Sequence, residues 1–201
     1  MFRELGKSPV GPTDYLLAAV QGIGNYFFIL QMQPTGTAVA TTVQEVMLGS
    51  LVLGPFGGIL GTWLYTVIYS RLLSKDGAAV GRPQVFHVLA YGGVPMALSA
   101  LLWGGVYVLL GDAALPEGPG RHPDTFVLII VRAQILLTGF LFLWSTLLQV
   151  MGLSEISNER LRRSFLLWAM GQAVGVVAYL LFVVVLTLVA QGLGLVTAPA
   201  S

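Results

Sequence analysis

Residues 144–163, WSTLLQVMGLSEISNERLRR, decide how the chain is read. The first half closes a long apolar segment. The second half is polar and carries Arg160, Arg162 and Arg163, and after Ser164 the chain turns apolar again. A short basic loop between two membrane-length segments is an orientation signal, because Lys and Arg are retained on the cytoplasmic side of a bilayer. This loop therefore sets the direction in which every other segment points.

Composition agrees with that reading. Of 201 residues, 56% are hydrophobic and only 9% are charged, and mean hydropathy is +0.83. A soluble domain carries about 25% charged residues, so this chain has too little polar surface to face water all round. It is expected to be an integral, multi-pass membrane protein. The net charge of +1 offers no basic excess for nucleic acid. Cysteine is absent, which excludes disulfides, thiolate metal sites and catalytic thiols. No cleavable signal peptide is expected: the first apolar run begins near Tyr15, lacks a small-residue cleavage site and contains Gln21 and Asn25.

Five apolar segments follow from the pattern, at about residues 15–33, 46–70, 85–111, 125–151 and 164–190. Each is long enough to span, since about 20 helical residues cross the hydrocarbon core. The expected fold is all-α: one five-span bundle over residues 15–201, preceded by a short cytoplasmic lead, residues 1–14. The first segment is the least apolar, with Gln21, Asn25, Gln31 and Gln33, and an interfacial helix is its competing reading. Arg3 and Lys7 lie in the lead, Arg71, Lys75 and Arg82 in one loop, and Arg160, Arg162 and Arg163 in another. The alternate loops hold only Arg121. This asymmetry predicts a cytoplasmic N-terminus and an outside C-terminus.

Two short runs carry a family resemblance. Val88-Leu-Ala-Tyr-Gly-Gly-Val-Pro95 follows a basic loop and is similar to the Ala-Tyr-x-x-x-Pro signature of the Yip family, membrane proteins named for interaction with Ypt/Rab GTPases. Trp144 followed by Gly152-Leu-Ser-Glu155 resembles that family's exit from its fourth span. The resemblance covers roughly residues 46–190, and Tyr91, Pro95, Trp144, Gly152 and Glu155 carry it. It implies five spans, a cytoplasmic N-terminus and a role as a membrane scaffold or adaptor. The small size points to a prokaryotic relative in a plasma membrane. The long N-terminal region of eukaryotic members has no counterpart among the roughly fourteen residues before the first span, which argues against a Rab-type partner. Partners are then the bilayer and another membrane protein or a second copy.

Several residues stand out as candidates. Pro55 and Pro95 each lie ten residues into a span, about 15 Å deep at 1.5 Å per residue. Each frees the carbonyl four residues earlier, those of Leu51 and Tyr91. Broken helices bound midplane sites in transporters; the plainer reading, favoured here, is a packing kink whose freed carbonyl finds a neighbouring hydroxyl or water. Gly54-x-x-x-Gly58, Gly57-x-x-x-Gly61 and Gly171-x-x-x-Gly175 form flat grooves that let helix backbones approach. Arg132 lies inside the fourth span, either paired with Glu45 or snorkelling to the outer interface. His87, Tyr91, Gln149 and Glu155 are expected at the cytoplasmic ends of the third and fourth spans, where they form a candidate vestibule; one His and one carboxylate are too few for a metal site. No Ser-His-Asp order, Walker loop or His-Glu-x-x-His pattern is present. The expectation is a non-enzymatic scaffold without cofactor, with a small transporter or channel built on the kinked second and third spans as the alternative.

Overall fold

The computed structural model describes residues 8–31, 42–74, 80–115 and 124–192, with backbone alone at 176 and from 178 onward. Arg3, Lys7, Lys75, Glu117, Arg121 and the residues after 192 lie outside the described stretches. The described residues are helical, with no strand among them.

Helix α1, Pro12–Gln31, begins inside the expected polar lead. Proline suits the first helical position, where its missing N–H would be unpaired anyway. The Asp14 carboxylate accepts the Gly11 N–H at 2.7 Å and holds the first turn closed. Helix α2, Val43–Leu73, starts from a Thr42/Glu45 capping box. It runs unbroken through Pro55, so the interruption expected at Gly54-Pro55 does not occur.

The third segment is broken as its sequence predicts. Helix α3, Arg82–Gly92, ends at Gly93, and α4, Val94–Leu110, begins there with Pro95 in its first turn. A short 3-10 turn, Gly111–Ala114, follows. Helix α5, Thr125–Ser157, starts with Asp124 accepting the Phe126 N–H and ends at Asn158, whose φ of 57° is left-handed. Helix α6 is Leu161–Gly192. The connection between α5 and α6 is thus only residues 158–160, not the expected loop 154–163. Gly152 to Glu155 are helical, and Arg162 and Arg163 lie in the first turn of α6. Asparagine tolerates the left-handed position that reverses the chain, and the Ser154 hydroxyl donates to the Glu159 carbonyl at 2.7 Å across the turn.

Among the described residues, three helical units are long and apolar enough to cross a membrane: α2, the broken α3–α4 unit through Ala114, and α5. Only 17% of the apolar window of α2 or of α5 is buried. Leu48, Phe56 and Trp63 on α2 and Leu136, Phe140 and Leu147 on α5 are exposed, whereas Ser50, Thr62, Thr66, Gln134, Thr138 and Ser145 are buried. Apolar residues outside and small polar residues inside suit a protein whose surroundings are hydrocarbon. At 20 residues α1 is long enough but is not among these three, because Asp14, Gln21, Asn25 and Gln31 dilute it.

Helix α1 instead forms the centre of the bundle, packed on α2, α4 and α3, while α6 sits outermost on α2 and α5. Gly22 lies against the Gly54 carbonyl and Gly58, and Gly24 against the Met96 carbonyl. Any side chain at either glycine would collide with backbone, which cannot yield as a side chain can. Aromatic and aliphatic packing fills one end of the bundle: Phe27, Leu30, Val46, Trp103 and Tyr107 form one core. A second core, around Tyr69, Val85, Val88 and Leu153, joins α2, α3 and α5 at the other end.

Candidate functional site

Two polar features inside the bundle stand out as candidate sites. The first joins α1 to α3. His87 is 2% exposed and Asp14 is 4% exposed. His87 Nδ1 meets Asp14 Oδ1 at 2.7 Å, and Nε2 meets the Ser8 carbonyl at 3.1 Å. A carbonyl only accepts, so Nε2 carries a hydrogen. One further proton lies between Nδ1 and Oδ1, and the pair is net neutral whichever atom holds it. The other carboxylate oxygen accepts from Gly11. Such a pair is a strong joint, because removing one partner leaves the other buried without its hydrogen bond.

The second feature is a cavity of about 310 Å³ beside the break of the third segment. Gln21 and Asn25 reach it from α1, Thr62 and Tyr65 from α2, Ser145, Thr146 and Gln149 from α5, and Trp168 and Gln172 from α6. The break builds its floor. With no side chain at Gly92, Gln149 lies directly on the backbone there, and the Gln21 amide fills the notch at Gly93. The Ser145 hydroxyl donates to the Gly92 carbonyl at 2.8 Å, so the break is closed by a hydroxyl of the neighbouring helix.

Two of the amides are half-used. Gln149 Oε1 accepts from the Trp168 indole N–H at 3.1 Å, leaving Nε2 as a donor. Gln172 Nε2 donates to the Tyr69 hydroxyl at 3.2 Å, leaving Oε1 as an acceptor. Gln21 Oε1 is buried with no hydrogen-bond partner. An unsatisfied buried acceptor costs about 1–3 kcal/mol. All the lining groups are uncharged side chains.

The expected vestibule divides between these features. His87 belongs to the α1–α3 joint, with Tyr91 beside it at a ring distance of 6.4 Å. Gln149 belongs to the cavity, and Glu155 lies half-buried a turn and a half further along α5. Asp14, the true partner of His87, lay in the stretch read as lead. A carboxylate two residues after Gly11-Pro12 was the available signal of a helix start.

The expected Arg132–Glu45 pair is not formed. Arg132 is exposed, and no ion pair among the described residues joins it to Glu45. Glu45 turns back onto the Thr42 N–H in its own capping box. Helix α2 packs on α1, α6 and α3 rather than along α5, so the two side chains start from helices that are not neighbours.

The glycine grooves also sort differently from expectation. Gly54 and Gly58 receive the α1 backbone, as a close-approach groove should. Gly171 and Gly175 receive the rings of Tyr69 and Tyr65 instead of a backbone. Gly57 and Gly61 meet nothing within 4 Å, so they make no packing contact among the described residues.

The motif residues occupy joints and surface. Pro95 is buried at the break, Gly152 is buried, and Trp144 is exposed on α5 beside Phe140, with ring centroids 6.3 Å apart. Among the described residues no three His, Asp or Glu come together as a metal site. Comparison with protein-family models, curated proteins and solved structures finds no match.

Proposed function

We propose that this chain is a five-span membrane protein, N-terminus cytoplasmic and C-terminus outside, that acts without covalent chemistry as a scaffold or adaptor of the kind the Yip resemblance implies. The observation that carries it is how the buried polar groups are used. Asp14–His87 joins α1 to α3, Gln31–Tyr107 joins α1 to α4, Trp103–Thr138 joins α4 to α5, and Tyr69–Trp168 joins α2 to α6. Groups committed to helix–helix joints hold a frame rather than stand ready as acid, base or nucleophile. The basic ends of the helices, with Arg71, Arg82, Arg160, Arg162 and Arg163, then face the cytoplasm and its partners.

The polar cavity at the break favours a second reading, a small transporter or channel. Flux separates the two. Proteoliposomes holding the full chain are expected to leak small neutral solutes and ions no faster than protein-free vesicles. Saturable flux would replace the adaptor reading with the transporter. Accessibility tags test the topology: positions Ala79 and Asn158 are expected to be shielded from outside, and Glu117 and Ser201 to be reached from it. A cytoplasmic tail would overturn the five-span arrangement.

A further inference from the structure

We propose that the cavity between α1, α2, α5 and α6 binds the uncharged, hydroxyl-bearing head of an amphiphile that enters sideways from the bilayer. The inference goes beyond the adaptor reading and rests on the cavity alone.

Lining chemistry sets the ligand class. Gln149 Nε2 remains as a donor, and Gln172 Oε1 and Gln21 Oε1 remain as acceptors. A hydroxyl both donates and accepts, so a group with two adjacent hydroxyls can meet this set. A charged head would enter with no counter-ion on the walls, which is unfavourable inside a membrane. The Gln21 oxygen is the most specific feature: it is buried, unpartnered, and held over Gly93 where any side chain would displace it. When the amide turns out of the Gly93 notch toward the cavity, an incoming O–H gives it the donor that the protein does not.

Geometry sets the route. Ile29 is 63% exposed and Phe142 is 41% exposed, yet both line the cavity, so its mouth opens on the apolar flank of the bundle. Phe28 and Phe142 stack across the mouth at 6.0 Å, with planes 16° apart. Gln21 lies nine residues along α1 from Pro12, about 14 Å by helix rise. The polar walls thus lie deep, and the lip is apolar. A molecule with a polar head and an alkyl chain matches both: the head reaches the amides and the chain leaves over the rings. The volume equals roughly ten waters at about 30 Å³ each, enough for a glyceryl head and not for a whole lipid. A water-soluble polyol offers the same hydroxyls without the chain.

The test uses the full chain in phosphatidylcholine nanodiscs, titrated with monoolein, and with glycerol and oleate as separate arms. Monoolein is expected to raise the melting temperature saturably. Gln21→Met, which keeps the length and removes the amide, is expected to weaken half-saturation about tenfold, equivalent to about 1.4 kcal/mol. Without probe the same variant is expected to melt no lower than the native chain, because an unpartnered polar atom is gone. Asn25→Leu is expected to weaken binding as well, and Thr146→Val replaces Gln21→Met if that variant fails to fold. No saturable response to monoolein, or native-like titration by the variants, overturns the site. A response to glycerol alone overturns the sideways entry, and an equal response to oleate overturns the uncharged head. Flux results bear on the transporter reading and leave this binding result unaffected.

Discussion

The seam between α1 and α2 and the seam between α2 and α6 use the same sequence device for different ends. At the first, Gly22 meets Gly54 and Gly58, and backbone lies on backbone. At the second, Gly171 and Gly175 accept the Tyr69 and Tyr65 rings, which stack on each other at 6.0 Å. The Tyr69 hydroxyl donates to the Trp168 carbonyl and accepts from Gln172, so the ring is bolted as well as seated. A glycine pair one turn apart supplies only room. What enters that room decides whether the contact is rigid or adjustable, because a backbone cannot retreat and a side chain can change rotamer.

That contrast is open to direct attack. The largest effect is expected at the first seam: Gly58→Leu should leave no folded bundle in detergent, since its Cβ would meet the Ala18 carbonyl and the Gly22 backbone. Normal melting of that variant would refute the backbone contact. Next comes the bolt at the end of α1. His87→Leu is expected to cost about 3–5 kcal/mol, the range for breaking a buried pair, measured as denaturant stability. Asp14→Asn should lose less, because an amide can still accept from Gly11 and donate to His87 Nδ1. Equal losses would show that the geometry, rather than the buried charge, holds α1.

At the second seam Gly171→Leu is expected to cost about 1–3 kcal/mol, as overpacking does, and Tyr69→Ala in the same chain should recover part of it. Failure of that rescue would mean that the ring is not what fills the groove. Tyr69→Phe, which keeps the ring and removes the bolt, should cost about 0.5–1.5 kcal/mol. The smallest effect is expected at Gly57→Leu, within about 0.5 kcal/mol as for surface positions. A large loss there would reveal a contact made with another copy or another protein.

Properties that depend on local chemistry were legible before the fold was known. Hydropathy summed along the chain marks five apolar segments, of which three are long and apolar enough to cross a membrane among the described residues, and the low charge marks the surroundings they need. The break at Gly92-Gly93 and Pro95 was legible too, since a proline placed just after two glycines removes an N–H where the backbone is least constrained. Pro55 shows the limit of such reasoning. The same residue type at the same depth of helix is carried without a break, where no glycine pair lies two residues ahead of it.

Other features belong to the tertiary structure alone. Asp14 and His87 are separated by 73 positions, and nothing in either local sequence names the other. The cavity amides come from α1, α5 and α6, and converge only in the folded bundle. Gly54, Gly57 and Gly61 read alike in sequence, yet among the described residues Gly54 meets a neighbour and the other two meet none. Hydropathy counts what a helix contains and is blind to which azimuth each residue occupies, whereas packing, pairing and burial are set by azimuth and by the helix standing opposite.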